Sequence, residues 1–178
     1  TFGRTSRDII AHFWFEGLAE DRIAEMDARK EGLYRRIIAG DFPAMDGARE
    51  LIRALHHAGF KLAVGSSGPP ENVEVTMNGL GMGECFSATV TGVDVTRGKP
   101  DPQVFLIAAE RLGAEPVCCA VVEDAPAGVE AANRAGMASV ALTGTAPREK
   151  LADADLIVDC LRELSPQVIQ RLIRRKAS

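Results

Sequence analysis

The segment VCCAVVEDAPAGVEAA, residues 117–132, joins an apolar run to a pair of carboxylates. Residues 117–122 form a continuous apolar run, which is typical of a strand covered on both faces of a sheet. Glu123 and Asp124 follow at once, and Pro126 is a favourable first residue for a helix. The segment therefore predicts a strand, a short acidic loop and a helix in direct succession.

The same alternation of strand and helix extends in both directions along the chain. Apolar runs typical of strands stand at 61–65, 87–91, 117–122, 138–142 and 156–158, with amphipathic segments between them. This order is typical of parallel βαβ units. We therefore predict an α/β fold, a Rossmann-like parallel sheet with helices on both faces.

The beginning of the chain has a different character. Residues 1–42 carry helical apolar stripes and no strand pattern. We predict two domains, a small, partial helical cap at 1–42 and an α/β core at 43–178.

Composition excludes several classes of partner. The net charge is −4 over 178 residues, so the chain as a whole does not attract nucleic acid or an anionic membrane. No apolar run approaches the roughly 20 residues needed to span a bilayer. The four cysteines form no C-x-x-C pair, which favours reduced thiols in a cytoplasmic protein over a metal or disulfide site.

Polar residues follow the strand at 61–65. In open α/β sheets, ligands bind beyond the carboxyl ends of the strands. There Ser66, Ser67 and Gly68 lead into a helix, so a hydroxyl and backbone N–H groups are available to phosphoryl oxygens. A turn or N-cap serine is the simpler explanation when this site is considered alone.

A lysine follows the strand at 87–91. Lys99 lies in Gly-Lys-Pro-Asp-Pro, residues 98–102, where two prolines constrain the backbone around Asp101. A lysine held there places a compact positive charge in the cleft. The alternative is a surface lysine in an ordinary loop.

The third strand end carries the two carboxylates. Burying Glu123 and Asp124 costs several kcal/mol unless cations or donors compensate them. Mg²⁺ takes one or two carboxylates, with water and substrate phosphate completing its shell. Capping of the next helix would explain Asp124 but not Glu123. A hydroxyl, a cation and a carboxylate pair together suit a phosphate ester bound with Mg²⁺.

These three strings resemble motifs two, three and four of the haloacid dehalogenase superfamily, in order and spacing. They are Ala-Val-Gly-Ser-Ser ending at Ser67, Gly-Lys-Pro-Asp-Pro around Lys99, and the acidic segment at 121–132. The branch that contains β-phosphoglucomutase and small sugar-phosphate phosphatases is the most similar. The resemblance implies a core of the haloacid dehalogenase type with a helical cap.

The resemblance also implies roles for individual residues. Ser66 would hydrogen-bond the transferring phosphoryl group, and Lys99 would balance its charge. Asp124, with Glu123, would hold Mg²⁺. Substrate binding would involve Ser67, Gly68, Arg4 and Arg7, the two arginines reaching from the start of the cap.

One part of the family pattern is missing from these 178 residues. The first motif, D-x-D-G-[TV], supplies the aspartate nucleophile and stands before the cap, but here D-x-D occurs only at 153–155, without the glycine. Since the chain begins at Thr1, we expect an N-terminal truncation that removes the first strand. We further expect the chain alone to be inactive, with a homo-oligomer covering the exposed strand edges.

The implied function is Mg²⁺-dependent phosphoryl transfer on a small phosphorylated metabolite, by a sugar-phosphate phosphatase or a phosphomutase. A second hypothesis is a non-catalytic module that binds a phosphorylated ligand or a partner without the nucleophile. A third keeps the superfamily but changes the reaction to dehalogenation or phosphonate cleavage. The Glu-Asp pair argues against dehalogenation, because dehalogenases of this superfamily work without the metal.

Overall fold

The computed structural model describes residues 19–40 and 42–177, and within them helices alternate with strands. In chain order the elements are α1 (Glu20–Gly40), α2 (Ala48–His57), β1 (Leu62–Gly65), α3 (Pro70–Leu80), β2 (Phe86–Val90), α4 (Gln103–Leu112), β3 (Ala120–Glu123), α5 (Pro126–Arg134), β4 (Ala138–Leu142), β5 (Leu156–Val158) and α6 (Pro166–Lys176). Short 3₁₀ turns lie at Gly83–Cys85, Pro116–Cys118, Arg148–Leu151 and Leu161–Glu163.

All five described strands pair in parallel, but they form two sheets instead of one. In the first sheet β1 pairs with β2, and in the second the order is β3-β4-β5. The predicted α/β class with parallel strands is confirmed. The last residues of β1 and β3 are linked by contacts of Lys99, so both strands end at the predicted site.

Helices cover both faces of the strands. On one face, Leu51 and Leu55 of α2 and Ile169 of α6 pack against Val140 of β4. On the other face, residues of α4 and α5 pack around Val90 at the end of β2. Burying one such aliphatic side chain contributes roughly 1.5–3 kcal/mol, so these two cores hold the layers together.

The prediction for β3 was wrong at its start and in its burial. Residues 116–118 form a 3₁₀ turn, in which Cys119 N–H donates to the Pro116 carbonyl (2.9 Å), and the strand begins at Ala120. Each residue of β4 is buried, whereas Val122 in β3 is 41% exposed. The reason is that β3 is an edge strand of its sheet and is paired, among the described residues, only with β4.

Helix α1 packs against α3 through a buried acidic side chain. Glu31 is 5% exposed and accepts a hydrogen bond from the Asn72 amide, while Arg35 donates to Asn72 Oδ1 (3.0 Å). Although α1 is the longest described helix, neither it nor any other described helix is long and apolar enough to cross a membrane. The division into a cap at 1–42 and a core at 43–178 stays a prediction.

Candidate active site

The loop after β1 is shaped by hydrogen bonds of Ser66. Its backbone N–H donates to the carbonyl of Val90 at the end of β2 (2.9 Å), and its Oγ accepts from Gly68 N–H (3.0 Å). Ser66 is therefore a turn serine, as the simpler explanation proposed. That turn uses the hydroxyl as an acceptor, which leaves its proton available to a ligand oxygen.

The loops after β1 and β2 approach each other at a glycine. Gly92 N–H donates to the Gly68 carbonyl (2.8 Å), and a Cβ at Gly92 would lie 2.7 Å from the carbonyl oxygen of Ser67. Ser67 Oγ is buried and has no hydrogen-bond partner among the residues described. The close approach places an unpaired hydroxyl beside the turn that Ser66 forms.

Lys99 is buried and joins two strand ends. Its Nζ donates to the carbonyl of Gly65 at the end of β1 (3.3 Å) and forms an ion pair with Glu123 at the end of β3. The Lys99 side chain is 9% exposed and that of Glu123 is 11% exposed. Lys99 Nζ also lies 4.8 Å from the ring centre of Phe105. The surface-lysine interpretation is therefore wrong.

The carboxylate of Glu123 fits against the helix that follows it. It accepts from the backbone N–H groups of Asp124 (3.2 Å) and Ala125 (3.5 Å). A Cβ at Gly128 would lie 2.1 Å from Glu123 Cδ, so only glycine leaves room for the carboxylate there. This contact gives a physical reason for glycine at position 128 in the first turn of α5.

Asp124 does not cap α5. The N-cap is Ala125, without a side-chain bond, and Asp124 Oδ2 instead accepts from the hydroxyl of Thr145 (2.5 Å). The capping interpretation of Asp124 is therefore wrong. Thr145 was missed by the sequence analysis, although it follows β4 closely and inspection of that fourth strand end would have found it.

A comparison against protein families assigns most of the chain to one family. The model described as haloacid dehalogenase-like hydrolase matches residues 2–136. This chain belongs to that hydrolase family. The predicted superfamily is thereby confirmed, and with it the prediction of an enzyme fold.

Two relatives that this chain is similar to are named as phosphatases. Validoxylamine A 7'-phosphate phosphatase of Streptomyces hygroscopicus subsp. limoneus is 42% identical over 127 residues, which cover 70% of this chain and 60% of the relative. Hexitol phosphatase A of Escherichia coli is 34% identical over 165 residues, or 92% of this chain and 74% of the relative. The chain thus spans less than two thirds of the length of the first relative and about three quarters of the second.

A solved structure has the same fold over nearly the whole chain. β-Phosphoglucomutase from Clostridium difficile superimposes with a TM-score of 0.85, covering 98% of this chain and 79% of that protein at 24% identity. At that identity the likeness concerns the fold alone. It confirms the predicted Rossmann-like core.

Glu123 and Asp124 are two adjacent carboxylates at the end of β3, where the sequence predicted magnesium. Within residues 19–40 and 42–177, no three His, Cys, Asp or Glu side chains cluster closely enough to hold a metal. One or two carboxylates suffice for Mg²⁺ when water and phosphate complete the shell, so Asp124 with Glu123 fits it as a partial site. Arg4 and Arg7 lie outside the described residues, and their predicted roles stay predictions.

Proposed function

We propose that this chain carries the phosphate-binding and metal-binding part of a Mg²⁺-dependent phosphoryl-transfer site for a small phosphorylated metabolite. The observation that carries the proposal is the buried contact of Lys99 with both Gly65 and Glu123. A buried cation between two strand ends, beside the Ser66 turn, suits a phosphoryl group better than an apolar ligand. Its expected cytoplasmic location stays a prediction.

Ser66 and Lys99 would bind the phosphoryl oxygens. Lys99 carries three N–H donors and keeps at least one for a ligand after contacting Gly65 and Glu123. Ser66 would donate its hydroxyl proton, and the N-terminus of α3 adds a partial positive charge a few residues away. Positioned donors of this kind stabilise charge that develops on phosphoryl oxygens.

Magnesium would be held by Asp124, with Glu123 as the second carboxylate. When bound, the metal would neutralise charge on the phosphoryl group. The hydroxyl of Thr145 would orient the Asp124 carboxylate toward the metal, as a partner of a metal ligand commonly does.

The chain alone would not turn over substrate, because no described carboxylate stands where a nucleophile is needed. The single D-x-D ends at Asp155, whose carboxylate accepts from Ser139 N–H (2.9 Å) at the start of β4. Lys99 stands at the opposite, carboxyl edge of the strands. Asp155 therefore cannot reach a phosphoryl group bound by Lys99.

We further propose that the complete site belongs to a phosphatase, with water as the final acceptor. Both relatives described above are named as phosphatases, one of validoxylamine A 7'-phosphate and one of hexitol phosphate. Phosphorylated sugars or sugar alcohols are the substrate class we propose. The phosphomutase alternative differs only in using a sugar hydroxyl as acceptor.

Calorimetry with hexitol phosphate in the presence and absence of Mg²⁺ tests the proposal. We expect micromolar binding that needs Mg²⁺ and weakens at least tenfold in Lys99→Ala. A matched control is Lys61→Ala, whose ammonium contacts the Leu112 carbonyl at the amino end of β1. Metal-independent binding, or equal binding by Lys99→Ala, would favour the non-catalytic module.

An assay with an aryl phosphate tests the predicted inactivity. We expect no turnover by the purified 178-residue chain. Turnover that Lys99→Ala abolishes would contradict this, since it would place a working nucleophile within these residues.

A further inference from the structure

The ammonium group of Lys99 contacts three different kinds of group. It donates to the carbonyl of Gly65 (3.3 Å), forms an ion pair with Glu123, and lies over the ring of Phe105 at 4.8 Å from the ring centre. The carbonyl and the carboxylate each use one of the three N–H donors of the lysine. The ring accepts no conventional hydrogen bond, so its effect on the ammonium has to be of another kind.

The turn that follows Lys99 brings Phe105 back to it. Asp101 N–H donates to the Gly98 carbonyl (3.1 Å), and Asp101 Oδ1 accepts from Gln103 N–H at the start of α4 (3.0 Å). The chain therefore reverses its direction between Lys99 and α4, and the first turn of the helix carries Phe105 to the ammonium. Local structure within one short segment thus determines this contact.

The end of β1 confines the ring of Phe105 from another side. Phe105 is buried, and it packs within the core that α4 and α5 form. A Cβ at Gly65 would lie 3.2 Å from two carbon atoms of the ring, Cδ1 and Cε1. The ring therefore occupies the space that a side chain at position 65 would need. The carbonyl of the same glycine accepts from the ammonium that the ring contacts.

An aromatic ring attracts a cation that lies over its face. The attraction acts within about 6 Å of the ring centre and is larger where water is excluded. Both conditions hold here, because the Lys99 side chain is buried and its Nζ is within that distance of Phe105. An aliphatic side chain could fill the same space in the core, but it would not attract the charge.

We infer that Phe105 is a positioning residue for Lys99, whose ring holds the ammonium between the ends of β1 and β3. Its effect on ligand binding rests on the proposed phosphoryl-transfer function, whereas the attraction itself needs no ligand. Without the ring, the Glu123 carboxylate would draw the ammonium toward itself, and a phosphoryl group would have to draw it back. A binding group that is already in place before the ligand arrives gives a higher affinity.

Fluorination of the Phe105 ring tests the inference. Fluorine withdraws negative charge from the ring face but nearly preserves the shape and apolar character of the ring. Phenylalanine with one, two or three ring fluorines is therefore incorporated at position 105, and binding of hexitol phosphate with Mg²⁺ is measured by calorimetry. We expect the affinity to fall with each fluorine and to reach a loss of about tenfold with three.

Urea denaturation of the same proteins gives a measurement that needs no ligand. Each fluorine should lower the stability of the chain relative to the same substitution in a background of Lys99→Met with Glu123→Gln. That background has no cation over the ring and leaves no member of the ion pair buried alone. Effects of fluorine on packing are common to both backgrounds, so the difference between them reports the attraction of the ring for Lys99.

Phe60 is the matched control for fluorination. It packs against the core of α2 and α6, on the other face of the strands. Within the described part of the chain, the rings that lie under a lysine ammonium are those of Tyr34 and Phe105. Three fluorines on Phe60 should therefore leave the affinity for hexitol phosphate unchanged, and their effect on stability should be the same in both backgrounds.

Two results would overturn the inference. The first is an affinity that stays constant or rises as fluorines are added to Phe105, in a chain whose binding Lys99→Ala does weaken. The second is a loss of stability that is equal with and without Lys99, which would show a ring that only fills the core. If Lys99→Ala leaves binding unchanged, the proposed function fails instead, and the urea series still decides whether Phe105 holds the ammonium.

Discussion

Lys99 and Glu123 form a buried ion pair that ties the loop after β2 to the end of β3. The carboxylate accepts in addition from two backbone N–H groups, and the ammonium donates to Gly65. A buried ion pair is stabilising only when such additional hydrogen bonds satisfy its members. The pair is therefore a junction between the two sheets as well as the centre of the proposed site.

Replacing one member of this pair should cost more than replacing both. Lys99→Met leaves the Glu123 carboxylate buried without a cation, which should reduce the free energy of unfolding by roughly 3–5 kcal/mol. The double variant Lys99→Met with Glu123→Gln should lose less than the sum of the two single variants. Urea denaturation of all four proteins measures this coupling. Additive losses would mean that the two side chains do not interact.

Gly128→Ala should destabilise the protein although alanine favours helices. Its Cβ would overlap the Glu123 carboxylate, so the side chain or α5 has to move, at a cost of about 1–3 kcal/mol. Gly32→Ala is the matched control, because Gly32 is also helical and nothing lies within 4 Å of its Cβ position. That control should be neutral or stabilising by up to about 1 kcal/mol.

Thermal melts compare the melting temperatures of Gly128→Ala and Gly32→Ala. Gly128→Ala should also weaken binding of hexitol phosphate at least tenfold, because it displaces Glu123 and with it Lys99. Equal melting temperatures for the two variants would show that the Glu123 carboxylate has room to move at no cost.

Thr145→Val should weaken magnesium binding without abolishing it. The change removes the hydroxyl that donates to Asp124, and the loss of such a supporting bond commonly costs about tenfold in metal affinity. Asp124→Asn should abolish the binding. Calorimetric titration with Mg²⁺ in the presence of phosphate measures both.

Thr143→Val is the control for the threonine change. Its hydroxyl donates to Asp159 (2.8 Å), an exposed carboxylate, and not to the proposed metal site. Magnesium affinity should stay at the wild-type value. A loss equal to that of Thr145→Val would attribute the effect to the loop as a whole.

The alternation of helices and strands could be predicted because the spacing of apolar residues that indicates each element lies within that element. The strands at 138–142 and 156–158 have the predicted bounds, and β1 differs by one residue. The start of β3 was predicted too early because an apolar run does not distinguish a strand from the turn that Pro116 begins. The local apolar pattern therefore predicts which elements form more reliably than it predicts the residue at which each element begins.

The groups of the candidate site could be predicted from the ends of the strands, but their pairing could not. Sequence spacing does not show that Lys99 pairs with Glu123, because 24 residues separate them. The pairing depends on how the ends of the strands are arranged in the folded protein. The contact of Thr145 with Asp124 has the same origin. The need for glycine at 128 likewise follows only from the position of the Glu123 carboxylate.

The contact of α1 with α3 should depend on Asn72. Asn72→Ala removes one hydrogen-bond donor from the buried Glu31 carboxylate, which keeps its ion pair with Lys30, so the free energy of unfolding should fall by about 0.5–1.5 kcal/mol. Amides of residues 20–40 should therefore exchange about tenfold faster, while those of β4 keep their rates. Glu71→Ala, at an exposed neighbouring position of α3, should leave both unchanged. Unchanged exchange in α1 after Asn72→Ala would contradict an anchoring role.

The loop between β2 and Lys99 should become less stable in acid, because its stabilisation by the Asp94 carboxylate is lost. Arg111 donates to Asp94 Oδ1 (2.6 Å), and this bond, followed by those from Thr91, lowers the pKa of Asp94 from 3.8 to about 2. Because the folded pKa lies below the unfolded one, the stabilisation is fully present above pH 3.8. It disappears as the pH falls toward 2, where the carboxyl group is protonated in both states.

Asp94→Asn tests this dependence directly. Above pH 5 the variant should be less stable than the wild type, and the difference should shrink steadily between about pH 4 and pH 2. Urea midpoints measured at intervals across that range give the difference. In an Arg111→Met background the stability difference caused by Asp94→Asn should change much less with pH, because the principal cause of the lowered pKa of Asp94 is gone. A stability difference that stays constant from pH 6 to pH 2 would show that the Asp94 carboxylate does not support this loop.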